Sequence, residues 1–388
     1  MPKLPWRLAS RSGGIGGVHS DSHNSAILSI SALFCDTVAV LLWACKERVD
    51  LVRDIDELER GAAANDLRSL AELGKLALVG RAGGRTPRDG VGMLAAAAEG
   101  GSAEADALIA VILGIEAQSA SDWGRAIDFL GRAAARGLAS AREQLTLYCP
   151  QPELVAMSKL PAPPSHIWRQ MKETIDVEML VRGVPSTLVR ASPHIAVLDA
   201  FASRAECEWL IERSRPHLEK SAIFDQTDSS ARSAPSRTGS AMRFDISKAD
   251  FALIVIQARI AATAGFSIRC LEETNILHYN VGQRFIAHYD FLDSRHRAFH
   301  DELALRGQRA VTFLVYLNEN FDGGETSFEK LGWQFKGSRG DALLFRNVDP
   351  SGTPDPFTLH AGLPPRSGEK WLLSQWIRTH PPRQPASQ

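Results

Sequence analysis

No two cysteines in this sequence are spaced as a C-x-x-C pair. The five that occur, Cys35, Cys45, Cys149, Cys207 and Cys270, are odd in number and widely scattered. That argues against a disulfide framework and for reduced thiols, so the expected setting is cytoplasmic. An excess of either charge is also missing: 44 basic residues face 45 acidic ones, a net charge of −1. Such a balance gives no bulk field for nucleic acid or an anionic membrane, and neither partner is expected. Proline is nearly absent between Leu51 and Tyr148, where Pro87 stands alone. One long apolar run does occur, Ala26–Cys45, behind Lys3, Arg7 and Arg11. Its length would permit a membrane span. However, Asp36 at its centre costs roughly 2.5–3.5 kcal/mol on insertion scales, and Ser29 and Ser31 dilute it further. The run is read as a segment of a soluble protein, with a membrane anchor or a targeting segment as the alternatives.

At 388 residues the chain has room for two domains of ~100–200 residues each. Residues 1–50 form an N-terminal extension of unassigned role. From 51 to 148 the composition is rich in Ala, Leu and Gly, and an internal repeat appears. Leu94-x-x-Ala97-Ala98-x-x-Gly101 recurs 36 residues later as Leu130-x-x-Ala133-Ala134-x-x-Gly137. Paired Ala-rich helices with Gly at the turn are the signature of a short α-solenoid, since small residues let helices approach and Gly supplies a left-handed cap. This segment resembles Sel1-like repeats of the tetratricopeptide group, an implied surface for a protein partner. Residues 149–164 hold five prolines and read as a linker.

The second domain is expected over 165–380. Helices are expected over His166–Glu178, after a capping box at Ser203-x-x-Glu206, and after Ser247-x-x-Asp250. From Thr274 the pattern changes to short strands, among them NILHYNV, RFIAHYDF, AVTFLVYL, DALLFRN and KWLLSQWI, separated by turns such as Asp322-Gly323-Gly324. Strands after supporting helices predict an α+β fold with a β-sandwich or barrel.

The chemistry concentrates in this strand-rich part. His288 and Asp290 lie two apart on a presumed strand, so both project from one face while Tyr289 projects from the other. His360 follows seventy residues beyond Asp290, and Lys370 ten residues after that. Two imidazoles and a carboxylate can hold one face of Fe(II) and leave the other face open for a 2-oxo acid and O2. Lys370 could then neutralise the far carboxylate of 2-oxoglutarate (2OG).

Several further motifs carry a specific resemblance. Asn275-Ile-Leu-His-Tyr279-Asn-Val-Gly282 precedes His288-Tyr-Asp290. Gly323-Gly324-Glu325-Thr326-x-Phe328 forms a glycine turn. Gly340-Asp341-Ala-Leu-Leu-Phe345-x-Asn347 leads to His360-Ala361, and Gly368-x-Lys370-Trp371 leads to Trp376. From about Ser192 to Arg378 the chain resembles the prolyl 4-hydroxylase family of Fe(II)/2OG dioxygenases. The resemblance implies a double-stranded β-helix, or jelly roll. It also implies Fe(II) on His288, Asp290 and His360, and 2OG contacts from Lys370, Tyr279 and Thr326. Arg309 and Trp376 would lie beside the primary substrate, and ascorbate would support turnover. Arg237-Thr238 resembles a loop that folds over the site, and Asp293–Gln308 reads as a charged insertion acting as a lid. His296 and His300 within that insertion are not read as ligands. One departure is Phe285, where the family often has Tyr. The lost hydroxyl weakens the case for a peptidyl proline. The expected activity is hydroxylation of a C–H bond, foremost in a prolyl residue of a peptide or protein. A free amino acid or other small metabolite is the alternative substrate, and a non-catalytic repeat scaffold is the second alternative.

Overall fold

The computed structural model describes residues 52–383 except 221–222, 225–230 and 233–236. The apolar run Ala26–Cys45 and most of the polar stretch Asp225–Ser240 lie outside the described residues. Nine helices come first among those described: α1 Val52–Ala63, α2 Leu67–Leu78, α3 Pro87–Gly100, α4 Ala103–Glu116, α5 Ala120–Ala135, α6 Ala139–Tyr148, α7 Pro152–Ser158, α8 Ile167–Thr174 and α9 Val177–Val181. No described helix is long and apolar enough to cross a membrane.

Polar caps start several of these helices. Asp66, Ser102 and Ser119 accept backbone N–H groups at the starts of α2, α4 and α5, and Thr86 and Asp89 form a reciprocal capping box on α3. The 36-residue recurrence in sequence is also a recurrence in position. Leu94, Ala97 and Ala98 are buried on α3, as are Leu130, Ala133 and Ala134 on α5. Gly101 and Gly137 follow at φ 109° and 100°, values that a side chain resists.

Two local expectations are corrected here. The proline-rich stretch 149–164 is not a bare linker, because α7 starts within it. Pro152 occupies the first turn, where the missing amide proton costs nothing, and Leu154, Val155 and Met157 pack on the helical core. The single helix expected over His166–Glu178 breaks at Ile175-Asp176, where the Asp176 side chain accepts from Met179 N and starts α9.

The remaining elements are α10 Arg204–Ser214, α11 Phe251–Ala264, α12 His300–Arg306 and sixteen short strands. These are β1 Thr187–Arg190, β2 Ile195–Leu198, β3 Glu219–Lys220, β4 Ile223–Phe224, β5 Ala231–Arg232, β6 Ser240–Phe244, β7 Thr274–Tyr279, β8 Phe285–His288, β9 Arg309–Tyr316, β10 Phe321–Gly323, β11 Thr326–Phe328, β12 Trp333–Phe335, β13 Ala342–Arg346, β14 His360–Gly362, β15 Pro365–Gly368 and β16 Lys370–Arg378. The Ser203/Glu206 capping box opens α10 as expected. The cap of α11 is Asp250 itself, not Ser247.

An eight-stranded sheet runs β1-β2-β13-β9-β16-β7-β6-β3, and a four-stranded sheet runs β12-β11-β14-β8. All the pairings are antiparallel, which gives the jelly-roll layering of an α+β fold. Central strands β9 and β16 are buried along nearly their whole length because both faces of the large sheet are covered. One face packs on α10 and α11 through Leu210, Leu253, Ile256 and Ile260. The other contributes Leu277, Leu314, Tyr316 and Leu372 to the space between the sheets, where they meet Phe328 of β11.

Helix α11 is mostly apolar because most of its length is buried, with Gln257 and Arg259 as buried polar exceptions. Its Phe251, Ile254 and Val255 belong to the core of the helical stack, while Leu253 and Ile256 belong to that of the sheet. Polar pins reinforce the joint: Ala252 N donates to Gln144 Oε1 at 3.0 Å, and the Tyr148 hydroxyl donates to Ala252 O at 3.2 Å. The helical stack thus packs on the back of the large sheet, away from the space between the sheets.

Candidate active site

The cleft between the two sheets gathers most of the residues singled out above. His288 and His360 are register partners on β8 and β14, and Asp290 lies just past the end of β8. One donor atom from each of the three lies within 4.8 Å of the others. His288 Nε2 is 3.6 Å from Asp290 Oδ1, and His360 Nε2 is 3.5 Å from Asp290 Oδ2. Each Nδ1 lies at hydrogen-bond distance from a carbonyl two residues back: His288 from Ile286 O at 2.9 Å, His360 from Thr358 O at 3.0 Å. Only a protonated nitrogen can donate there, so each Nε2 presents its lone pair to the cleft. Two neutral imidazole nitrogens and one carboxylate suit a divalent metal with open coordination positions.

The electrostatics agree with that donor set. Burial works against ionisation of Asp290, which is 3% exposed. The neighbouring His360 and His288 and the Thr312 hydroxyl outweigh it, and the carboxyl lies well below its ordinary range. Burial first, then the adjacent His288, pushes His360 down to about 4, leaving it neutral near pH 7.

A relay behind Asp290 was not picked out from the sequence. The Thr312 hydroxyl donates to Asp290 Oδ2 at 2.6 Å, and Asn347 Nδ2 donates to Thr312 Oγ1 at 2.9 Å. Both residues are fully buried. The available signal was a lone threonine in the apolar strand AVTFLVYL, at the parity that faces the cleft.

Lys370 closes the other end of the cleft, at 1% exposure. It is the register partner of Tyr279. Its Nζ donates to Gly324 O at 2.7 Å and lies 5.0 Å from the Tyr316 ring centre and 5.9 Å from that of Tyr279. Burial pulls its pKa down to about 7, partly opposed by Glu325. Among the described residues no carboxylate is in contact with this buried ammonium, and a carbonyl oxygen is its hydrogen-bond partner. Thr326 shares the cleft wall, but its hydroxyl is 2.9 Å from that of Tyr316, which donates to Phe335 O. Tyr316 is a third residue that sequence reasoning missed; in the sequence it was one more aromatic in an apolar strand.

The cleft is lined by His288, Asp290, His360, Lys370, Tyr279, Thr326 and Trp376, and also by Asn275, Phe285, Ser374 and Arg237. Arg309, expected beside the primary substrate, is not among the lining residues. Its guanidinium pairs with Glu272 at 2.7 and 3.0 Å and lies 3.6 Å over the Trp376 ring, while Nη1 reaches Asp290 O at 3.4 Å. The physical reason is Glu272: burial opposes its ionisation, but Arg309 and Arg378 together hold it at about 2, so the arginine is held behind the tryptophan. In the charged insertion, His300 Nε2 bonds Ser294 O and His296 faces Asp293 at 3.8 Å, neither near the triad.

Comparison with known proteins gives the same picture. Residues 274–378 match the 2OG-Fe(II) oxygenase superfamily. A probable prolyl 4-hydroxylase 10 of Arabidopsis thaliana is 32% identical over 214 residues, 50% of this chain and 71% of that protein. Prolyl 4-hydroxylase 13 of the same plant is 31% identical over 223 residues, 53% of this chain and 78% of that protein. Among solved structures, a viral collagen prolyl hydroxylase from Paramecium bursaria Chlorella virus-1 in complex with 2OG is 29% identical, at a TM-score of 0.38 over 48% of this chain and 96% of that one. With its triad, its jelly-roll sheets and this degree of identity, the chain belongs to the prolyl 4-hydroxylase-like branch of the 2OG-Fe(II) oxygenases.

Proposed function

We propose that the enzyme hydroxylates a prolyl residue in a peptide or protein, with ascorbate keeping its iron reduced. The observation that carries the reading is the convergence of His288, Asp290, His360 and Lys370 on one cleft, in a chain whose relatives are named prolyl 4-hydroxylases. When bound, Fe(II) and 2OG supply oxidative decarboxylation: substrate C–H, 2OG and O2 give the alcohol, succinate and CO2.

The chain's own residues do the positioning. His288, Asp290 and His360 would hold the metal, with both imidazole orientations fixed by carbonyl hydrogen bonds. Lys370 would neutralise the far carboxylate of 2OG, and Tyr279 and Thr326 would flank it. The apolar walls, Leu277, Leu314 and Leu372, keep that end dry, which strengthens the charge pairing. Trp376, braced from behind by Arg309, forms the wall on the substrate side. The helical stack is read as Sel1-like repeats that dock a protein substrate, on the strength of its 36-residue recurrence. The cytoplasmic setting rests on the scattered cysteines, of which Cys149, Cys207 and Cys270 are free thiols. Phe285 lacks the hydroxyl often found there in the family, and this favours a free amino acid as the second reading.

The test is succinate release with Fe(II) and 2OG against proline-containing peptides and free amino acids, with mass spectrometry of the products. A peptide product heavier by one oxygen at proline is expected. Turnover confined to free amino acids would establish the second reading, and peptide oxidation away from proline would overturn the first.

A further inference from the structure

Arg237 is the cation in the cleft that the reading above leaves unused. It reaches the cleft from the segment before β6, and three contacts fix it there. Its backbone forms an antiparallel bridge with Phe285. Thr238 N donates to Arg284 O at 3.1 Å, and Arg284 N donates to Thr238 Oγ1 at 2.9 Å. Gly239 lets the segment lie flat against β7, since a Cβ there would meet His278 O and the Tyr279 ring at 2.7 Å. The Arg237 guanidinium then lies 4.9 Å over the Phe285 ring, and Phe285 itself stacks on His288 at 3.6 Å. The charge is therefore one ring's thickness away from a metal-ligand histidine.

Two further observations indicate what this charge is for. Arg237 Nε is buried without a hydrogen-bond partner, and among the described residues no carboxylate pairs with the guanidinium. Asp290 is the carboxylate among the lining residues, against the two cations Lys370 and Arg237. Counting formal charges, a divalent ion with Asp290, and Lys370 with dianionic 2OG, leave the cleft neutral. Arg237 is then one uncompensated positive charge, on the far side of Phe285 from His288. A guanidinium with a free donor in a cleft of low dielectric is matched by a planar carboxylate.

We infer that Arg237 docks a carboxylate of the primary substrate next to the carbon that is oxidised. The inference deepens the proposed hydroxylase reading and rests on it. The carboxylate could come from an acidic residue flanking the target in a peptide, or from the α-carboxylate of a free amino acid or a chain terminus. The chemistry at Arg237 is the same for both, and the experiment separates them.

The test uses the full chain with Mn(II) in place of iron and saturating 2OG, so that binding is measured by calorimetry without turnover. The ligands are matched acid and amide pairs. Peptides with a blocked C-terminus carry Glu or Gln beside the target residue, and free amino acids, proline among them, are compared with their amides. The acid member of one series should bind roughly tenfold more tightly than its amide. Preference in the peptide series identifies a flanking acidic residue, and preference in the other series identifies an α-carboxylate. Arg237→Gln should bring the ratio close to one, Arg237→Lys should keep part of it, and 2OG affinity should be unchanged in both variants. A preference that persists in Arg237→Gln, or no preference in any pair, overturns the inference. So does a loss of 2OG affinity in Arg237→Gln in place of the acid preference. If an acid preference dependent on Arg237 appears only with ligands that lack proline, the inference stands and the prolyl reading falls.

Discussion

Asp106 in the helical stack and Asp290 in the sheet cleft are both buried, yet their carboxyl groups shift in opposite directions. Asp106 on α4 meets two arginines at the end of α5 and just beyond it, Arg132 at 2.9 Å and Arg136 at 2.5 Å. These arginines also donate to Ala98 O, tying the end of α5 back to α3. Burial nevertheless dominates at Asp106 and pushes it up to about 6, because both arginines are about a third exposed and water screens them. Asp290 has no arginine or lysine paired with its carboxylate among the described residues. Around its carboxylate stand the His288 and His360 rings and the Thr312 hydroxyl, which donates to Oδ2, and the carboxyl lies well below its ordinary range. A buried carboxylate with cations built in is a fastener between helices. One beside two inward-facing imidazole nitrogens has the donor set of a metal site.

The largest expected effect breaks this contrast directly. Asp290→Ala and His360→Ala should each abolish Fe(II)-dependent succinate formation with little change in thermal stability. Asp106→Ala should leave metal affinity intact and cost about 1 kcal/mol of stability, since the two arginines it frees are partly exposed. Titration with Mn(II) and thermal unfolding of the three variants would measure both properties. Retained turnover in His360→Ala would remove that histidine from the site.

Next in size is Lys370. Among the described residues no carboxylate contacts its buried ammonium, so Lys370→Ala should raise the 2OG requirement by at least a hundredfold, given ~3–5 kcal/mol for a buried charge deprived of its partner. Lys370→Arg should lose less, because the charge remains although the geometry is poorer. Dependence of the succinate rate on 2OG concentration decides this, and an unchanged KM in Lys370→Ala would exclude the role.

A smaller effect sharpens the comparison at Thr312. If the hydroxyl orients Asp290, then Thr312→Val should weaken Mn(II) binding about 10–100-fold while preserving shape, as loss of an outer hydrogen bond to a ligand typically does. Thr312→Ser should restore most of it. Equal Mn(II) affinity in Thr312→Val and the unaltered protein would make the relay purely structural.

The sequence revealed the donors better than their supports. His288, Asp290, His360 and Lys370 were legible because metal and anion binding constrain residue type and spacing together. Thr312, Asn347 and Tyr316 were not, because their partners come from different strands and register does not appear in a linear pattern. Arg309 was misplaced for a similar reason: its position on β9 is evident, but the pull of Glu272, 37 residues earlier, is not. At the level of fold, the helical stack and the strand-rich part after it could be read. The sharing of α11 between two cores could not, since a mostly apolar helix says only that it is covered, not by what.

The smallest effect is a pH dependence carried by Lys370. Burial holds it at about 7, against roughly 10.4 for an unfolded lysine. Between those values the unfolded chain binds more protons than the folded one, so this residue makes stability rise with pH across that window, and its contribution is flat below it. Binding of 2OG should run the other way. Its far carboxylate selects the ammonium form, so above about pH 7 each binding event must take up a proton, and affinity should weaken by up to about tenfold per pH unit. Below pH 7 the lysine is already charged, and affinity should be flat. Thermal unfolding of the Mn(II) protein with and without 2OG, from about pH 6.5 to 8.5, tests both slopes together. Lys370→Arg is the control, since an arginine stays charged throughout and should flatten both trends. If 2OG affinity were independent of pH in the unaltered protein, the ammonium would already be fully charged before the cosubstrate arrives. Lys370 would then have a permanent partner, as Asp106 does, and the contrast between fastener and ligand would not extend to this end of the cleft.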